Sequence, residues 1–268
     1  MPKCIIRKEI RSKTNARLIC CILQTKKMLQ PWRIGLVINI LDETVHTKRF
    51  FIEVPGEESF DFKPGQFITL DLPIHEKKNK RWRSYSIASA PNGTNIIELV
   101  IVKLEGGLGS SYLFNEVKVG TELTFRGPQG VFVLPEHIDK DLFFICTGTG
   151  VAPFRSMVQF ISRYNIAHKN IYLIFGCRHT TDCLYGQELK ALEMDLENYH
   201  YLPTFSREPE DNILVRRGYV HSIYEEIAKE KPEAIFYLCG WKNMVDEAKA
   251  RIQALGYDKK DIHLELYG

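Results

Sequence analysis

At about Pro135 the hydrophobic rhythm of this chain changes, and no fold of a single class accommodates both sides of the change. From Arg33 to Pro135, short runs rich in β-branched and aromatic residues alternate with turn residues: GLVINILDE, TKRFFIEVP, GQFITLDLP, RSYSIASAP, NIIELVIVK, TELTFRGP and GVFVLP. That spacing predicts a small antiparallel barrel or sandwich. One helical stretch interrupts it, SSYLFNEV at 110–117. After Pro135 the order becomes strand and helix in turn: DLFFIC then VAPFRSMVQFISRY, IYLIFG then CLYGQELKALEMDL, YHYLPTFS then VHSIYEEIAKE, IFYLCG then KNMVDEAKARIQALG, and last IHLELYG. This is the pattern of a doubly wound parallel sheet with helices on both faces, which binds ligands beyond the carboxyl ends of its strands. The expected fold is two-domain: an antiparallel β-barrel over 31–137, then an α/β doubly wound parallel sheet over 138–268, preceded by a basic extension at 1–30.

With 268 residues each half can bury a core, and 44% hydrophobic against 26% charged residues is a globular composition. No apolar run approaches the ~20 residues that span a bilayer, so membrane insertion is not expected. Seven cysteines, at 4, 20, 21, 146, 177, 183 and 239, form neither a disulfide framework nor an iron-sulfur spacing, which suits a cytoplasmic protein. Charge is uneven: residues 1–30 hold eight Lys or Arg against one Glu, a local +7, so the remainder is −4 although the formal net charge is +3. The basic stretch lacks the cleavage pattern of a secretory signal; a translation start at Met28 is the favoured reading, and a disordered arm is the other. No nucleic-acid partner is expected.

RSYSIAS, 83–89, is the richest motif of the first half. On a strand, alternation turns Arg83, Tyr85 and Ile87 to one face and Ser84, Ser86 and Ala88 to the other. A guanidinium fork beside a phenol ring suits a planar ligand bearing phosphate, such as a flavin nucleotide; alone, the pattern is equally that of ordinary sheet residues. GGLGSSYL, 106–113, is a glycine-rich turn entering the helix, where Gly107, Gly109, Ser110 and Ser111 would offer amides and a positive dipole end to a pyrophosphate. Together with Arg83 and Tyr85 these pieces describe a flavin dinucleotide, with Ser86 at the ring edge.

In the second half, DLFFIC runs into TGTGVAPFRSM, 147–157. Thr147, Gly148, Thr149 and Gly150 at the junction, with Pro153 in the first helical turn, form a second phosphate cradle, and the absence of a Lys-Ser/Thr ending argues against an NTPase. The strand IYLIFG runs into Cys177 and Arg178, not into the carboxylate with which NAD binders hold a ribose, so nothing there repels a 2′-phosphate. Ser206 and Arg207 in TFSRE, and Arg217 and Tyr219 in RRGYV, supply a hydroxyl, two forks and a ring for 2′-phosphoadenosine; solvated loop arginines are the commoner fate. Cys239 and Gly240 in LCGWKNM mark another strand end, and Glu265, Leu266, Tyr267 and Gly268 close the sequence. A small buried cysteine and an edge tyrosine are the ordinary readings.

RSYS, GGLGSSYL, GPQGVF, CTGTGVAPFRSM, FSRE, YLCGWKNM and ELY, in that order, resemble the ferredoxin-NADP reductase family of flavoproteins over about 33–267. The resemblance implies that the barrel binds FAD and the α/β domain binds NADP(H). It implies that Arg83 contacts the flavin pyrophosphate, Tyr85 stacks on the isoalloxazine, Ser86 approaches its N5, Ile87 and Ala88 continue the FAD-binding strand, and Gly107 to Ser111 cradle phosphate. Cys239 and Glu265 match the pair flanking the nicotinamide. Tyr267 matches the terminal aromatic over the other flavin face, with Gly268 an extra residue beyond it. Ser206, Arg207, Arg217 and Tyr219 align with the 2′-phosphate site; Arg178 lies where members differ. The implied catalytic residues are therefore Ser86, Cys239, Glu265 and Tyr267, with no metal. The implied activity moves a hydride between NADP(H) and FAD, and single electrons between FAD and ferredoxin or flavodoxin. Such carriers are generally acidic, and Lys77, Lys78, Lys80 and Arg81 are the expected docking patch. Two alternatives stand beside it: an NAD(P)H-dependent reductase component of an oxygenase or hydroxylase system, and a flavin-binding subunit of a larger redox complex.

Overall fold

The computed structural model describes residues 30–210 and 212–267; the basic segment before Gln30, with Met28, and Gly268 lie outside the described residues. Six antiparallel strands come first: β1 Trp32–Thr44, β2 Thr47–Glu53, β3 Phe67–Asp71, β4 Trp82–Ser86, β5 Ile96–Val102 and β6 Glu122–Gln129. Their order is β4-β3-β6-β1-β2-β5. The two outer strands meet just past the end of β4, where Ile87 bridges Leu99 and the Ala88 amide donates to the Glu98 carbonyl at 2.8 Å, closing the sheet into a barrel. Alternating residues such as Phe50, Ile52, Ile68, Leu70, Leu99 and Phe125 fill its interior.

Two expectations need correction here. Helix α1 spans Leu108–Asn115, two residues earlier than 110–117, because extended Gly107 (φ −76, ψ 104) lets the Ser111 amide reach the Gly107 carbonyl at 2.9 Å. Gly109 and Ser110 are therefore inside the first turn. GVFVLP is not a strand. Its apolar residues bury against the second half: the Phe132 ring packs 5.8 Å from Phe154 and 5.3 Å from Tyr237, and the Tyr237 hydroxyl donates to the Val133 carbonyl at 2.9 Å.

The second sheet is parallel and contains β7 Asp141–Thr147, β8 Ile171–Cys177, β9 Tyr199–Phe205, β10 Ala234–Trp241 and β11 Ile262–Tyr267, in the order β11-β10-β7-β8-β9. Helices α2 Val151–Arg163, α3 Gly186–Asp195, α4 Val220–Ala228 and α5 Lys242–Ala254 connect them. Strand parity sorts the core. Leu142, Phe144 and Cys146 of β7 join the cluster of α2 and α3, whereas Phe143 and Ile145 join that of α4 and α5. A strand covered on both faces must be apolar throughout, which is why DLFFIC shows no alternation. Each fully buried Phe or Leu contributes about 1.5–3 kcal/mol. The order reverses between β7 and β10, so their carboxyl ends open the crevice in which such sheets take ligands. No helix among the described residues is long and apolar enough to cross a membrane.

Candidate active site

Two motifs far apart in sequence meet at the edge of the barrel. The Arg83 side chain lies across the start of α1: a Cβ on Gly109 would sit 3.0 Å from Arg83 Cγ and 3.2 Å from its Nε, so glycine there makes room for the guanidinium. Arg83 Nη1 is pinned by the carbonyls of Lys80 (3.0 Å) and Trp82 (2.7 Å). No side chain caps α1 and no acid stands in its first turn, leaving its leading amides and dipole end open to an anion. The Ser110 side chain turns inward. Its hydroxyl accepts from the Leu104 amide at 3.1 Å and donates to the Gly107 carbonyl at 3.2 Å, so it braces the turn from within, while Ser111 is half-buried.

Tyr85 packs on the barrel core, and burial pushes its phenol up to about 12 against the opposing charge of Arg83, so the ring stays neutral. Ile87 and Ala88, which continue the strand, have fully buried side chains, one in the barrel core and the other in the core of the second half. Their amides are bonded to the carbonyls of Gln66 and Glu98.

Ser86, on the opposite face of β4 from Tyr85, joins the two halves. Its hydroxyl donates to Glu265 Oε2 at 3.0 Å and accepts from the Tyr267 hydroxyl at 2.6 Å. The β10–β11 register sets Cys239 beside Glu265 and Trp241 beside Tyr267, leaving Cys239 Sγ 4.0 Å from the same carboxylate oxygen. Burial lifts the Glu265 carboxyl to about 7, although the Ser86 hydrogen bond opposes the rise. Burial, and then the Glu265 charge, push the Cys239 thiol well above its ordinary value, so it is a neutral, polarisable wall and not a thiolate nucleophile.

At the crevice, Gly148–Gly150 form a single tight turn between β7 and α2. Gly148 takes φ +54 and has open space where a Cβ would stand. Gly150 is the reverse: a Cβ would collide with the Cys239 carbonyl oxygen and lie 3.0 Å from the Gly240 nitrogen, so α2 begins jammed against β10. Thr147 accepts from the Trp241 amide at 3.5 Å and occupies the space a Cβ on Gly240 would need. Thr149 lies mid-turn and Pro153 is buried in the first turn of α2, which has no acid and no side-chain cap.

The arginines also gather. The Arg207 amide donates to the Arg178 carbonyl at 2.9 Å and Phe205 bridges Arg217, which places all three arginines, each exposed, past the ends of β8 and β9. Tyr219 is 70% exposed immediately before α4. The Ser206 hydroxyl donates to the Cys177 carbonyl at 3.3 Å, and Arg217 has Glu210 at 3.7 Å. Glu208 is a residue the sequence reading missed. It accepts from the Thr180 amide (2.9 Å) and from Asn212 (3.0 Å), which hold its carboxyl below the usual range and fix the loop beside Arg207. Among the basic residues before β4, Arg81 is bound to Asp71 at 2.8 Å, while Lys77, Lys78 and Lys80 are exposed without an ion pair among the described residues.

Known proteins match this arrangement. The profile of the oxidoreductase FAD-binding domain family matches residues 37–134 and that of the oxidoreductase NAD-binding domain family residues 144–250. The chain is 35% identical to ferredoxin-NADP reductase B of Sorangium cellulosum over 217 residues, 78% of this chain and 87% of that protein. The chain belongs to the ferredoxin-NADP reductase family. The phenol hydroxylase P5 protein of Acinetobacter pittii is 30% identical over 86% of the reductase chain, which spans 64% of that relative's length. A ferredoxin NADP+ reductase from Neisseria gonorrhoeae, solved with bound FAD and NADP, shares the fold of this reductase with a TM-score of 0.73, at 24% identity over 88% of this chain and 98% of that one.

The reductase also contains a buried charge cluster that no sequence pattern announces. Glu98, 4% exposed, accepts from Arg49 Nε (2.6 Å) and Nη2 (3.1 Å), from Arg155 Nη1 (3.0 Å) and from the Tyr185 hydroxyl (2.7 Å). Burial alone would raise this carboxyl, yet the two guanidiniums and the phenol hold it below the usual carboxylate range. Arg155 lies within the TGTGVAPFRSM motif, but its partner on β5 is 57 residues away.

Proposed function

We propose that this reductase transfers a hydride between NADP(H), held over residues 138–268, and FAD, held over 31–137, and exchanges single electrons with an acidic carrier, ferredoxin or flavodoxin, in the cytoplasm. The observation that carries this reading is the junction of Ser86 with Glu265 and Tyr267, because a hydroxyl from the barrel meets a carboxyl and a ring from the last strand of the sheet. The residues fit both cofactors: Arg83 over Gly109 and the uncapped start of α1 suit one pyrophosphate, and Thr147–Gly150 before the uncapped α2 suit the other.

Bound FAD supplies the chemistry, accepting two electrons as a hydride and releasing them singly. Arg83, Gly107, Gly109, Ser111 and the amide of Ser110 hold the flavin end, and Tyr85 backs the ring. Glu265, poised at about 7, holds or releases a proton at Oε2 near neutral pH and orients the Ser86 hydroxyl. Cys239 and Gly240 shape the nicotinamide wall without adding charge. Tyr267 excludes water and must give up its bond to Ser86 before another ring takes its place. Ser206, Arg207, Arg217 and Tyr219, with Arg178 beside them, favour a 2′-phosphate. Lys77, Lys78 and Lys80 receive the carrier.

The test is anaerobic reduction of the yellow holoprotein. Flavin absorbance should bleach faster with NADPH than with NADH, and the reduced protein should pass electrons to ferredoxin or flavodoxin. A colourless protein indifferent to both nucleotides would overturn the proposal. The relatives named for phenol hydroxylase and toluate dioxygenase favour one second reading, delivery to an oxygenase, which faster bleaching by NADH would support.

A further inference from the structure

We propose that helix α2 is the spacer that sets the flavin site against the nicotinamide site, with Arg155, Ser156 and Gln159 as positioning residues for hydride transfer. The inference rests on the proposed NADP(H)–FAD chemistry and deepens it. Helix α2 begins at the Thr147–Gly150 cradle, and its next two turns are stitched to the chain leaving β4. Arg155 Nη1 donates to the Ala88 carbonyl at 2.9 Å, the Ser156 hydroxyl donates to the Ser89 carbonyl at 2.7 Å, and the Ala90 amide donates to Gln159 Oε1 at 3.2 Å. Three successive residues, starting two beyond Ser86, are thus bonded in order along one helix. The helix that presents amides to one nucleotide is thereby fixed to the strand whose hydroxyl faces the other.

The anchor is stiff. Arg155 is 5% exposed and grips both Glu188 oxygens of α3 with Nε and Nη2, each at 2.8 Å, while Nη1 also reaches Glu98 at 3.0 Å. Its guanidinium lies 4.1 Å from the Tyr185 ring centre, and Gln159 Nε2 bonds Glu188 at 2.6 Å. A buried guanidinium is costly to desolvate, and a hydrophobic residue of similar volume is often as good for stability. A forked, fully bonded arginine here therefore points to geometry as well as to fold.

Neither phosphate cradle uses these side chains, so each cofactor should bind without them. What changes is the distance between the reacting atoms, where a misplacement of about 1 Å costs on the order of 100-fold in rate. In Arg155→Gln holoenzyme, FAD content and the KM for NADPH should stay near wild type while flavin reduction at saturating NADPH slows about 10- to 100-fold. The long-wavelength absorbance of a nicotinamide stacked on a flavin should weaken in parallel. Arg155→Lys, which can reach Ala88 but not fork onto Glu188, should recover part of the rate. Should Arg155→Gln fail to fold, Gln159→Met removes the Ala90 bond and should show the same separation of rate from KM on a smaller scale. An unchanged reduction rate in the folded variants, or a loss carried by KM or FAD content, would overturn the inference. Wild type that NADPH cannot bleach would instead refute the underlying function.

Discussion

Glu265 is the side chain whose environment most changes its chemistry. Between its ordinary value of 4.5 and about 7, the unfolded chain has already ionised this carboxyl while the folded chain retains the proton. The folded state then binds more protons, so its stability falls as pH rises through that window. Glu265→Gln can still accept from Ser86 but cannot titrate. Melting curves at about pH 5 and pH 8 should show the wild type losing stability relative to the variant on going to the higher pH; equal slopes would remove the raised value. Tyr267 offers a kinetic counterpart. Tyr267→Ser deletes the ring and its 2.6 Å bond to Ser86, and titration should find NADP(H) bound about tenfold tighter, roughly 1.4 kcal/mol, with NADH discrimination relaxed. Unchanged affinities would mean the ring never blocks the site.

At the level of elements, two glycines with similar sequence context should behave differently. A methyl on Gly150 meets backbone, the Cys239 carbonyl, whereas a methyl on Gly109 meets the flexible stem of Arg83. Gly150→Ala should displace α2 from β10 and destabilise the fold by about 2–3 kcal/mol in denaturant unfolding. Gly109→Ala should keep the fold and shed FAD several-fold more readily on dialysis. Reversal of that order would contradict the packing at both helix starts. These elements also show what the sequence could reveal. β7, β8 and β10 were legible because burial on both faces writes itself as an almost unbroken apolar run, and the glycine turns because few other residues allow such approaches. GVFVLP misled because Phe132 and Val133 serve the second half's packing and not a ladder. The sequence singles out Ser86 on its strand, and Glu265 and Tyr267 by resemblance, but no local pattern announces that they meet across 179 residues. Arg155 was in plain view, but its bonds to Glu98 and Ala88 arise from how α2 lies along the β4 exit, which side-chain periodicity does not encode.

For the molecule as a whole, charge is a local matter, since three lysines without an ion pair among the described residues stand on a chain that is −4 beyond residue 30. Reversing Lys77, Lys78 and Lys80 to Glu should slow reduction of an acidic carrier about tenfold or more at low salt, and the deficit should shrink as salt screens the surface. Reduction of ferricyanide by NADPH should be unaffected, because the phosphate cradles lie elsewhere. A deficit indifferent to salt would move the docking site off this patch. The Glu98 cluster bears on the molecule in another way. The two domains, each matched by its own family profile, invite exchange with those of a relative as separate cassettes. Here Arg49, Glu98 and the carbonyl of Ala88 come from one cassette, and Arg155, Tyr185 and Glu188 from the other. A chimera joined at about residue 138 with a relative lacking these partners would inherit half a handshake, a buried charge facing nothing, so these two cassettes can be exchanged only as a matched set.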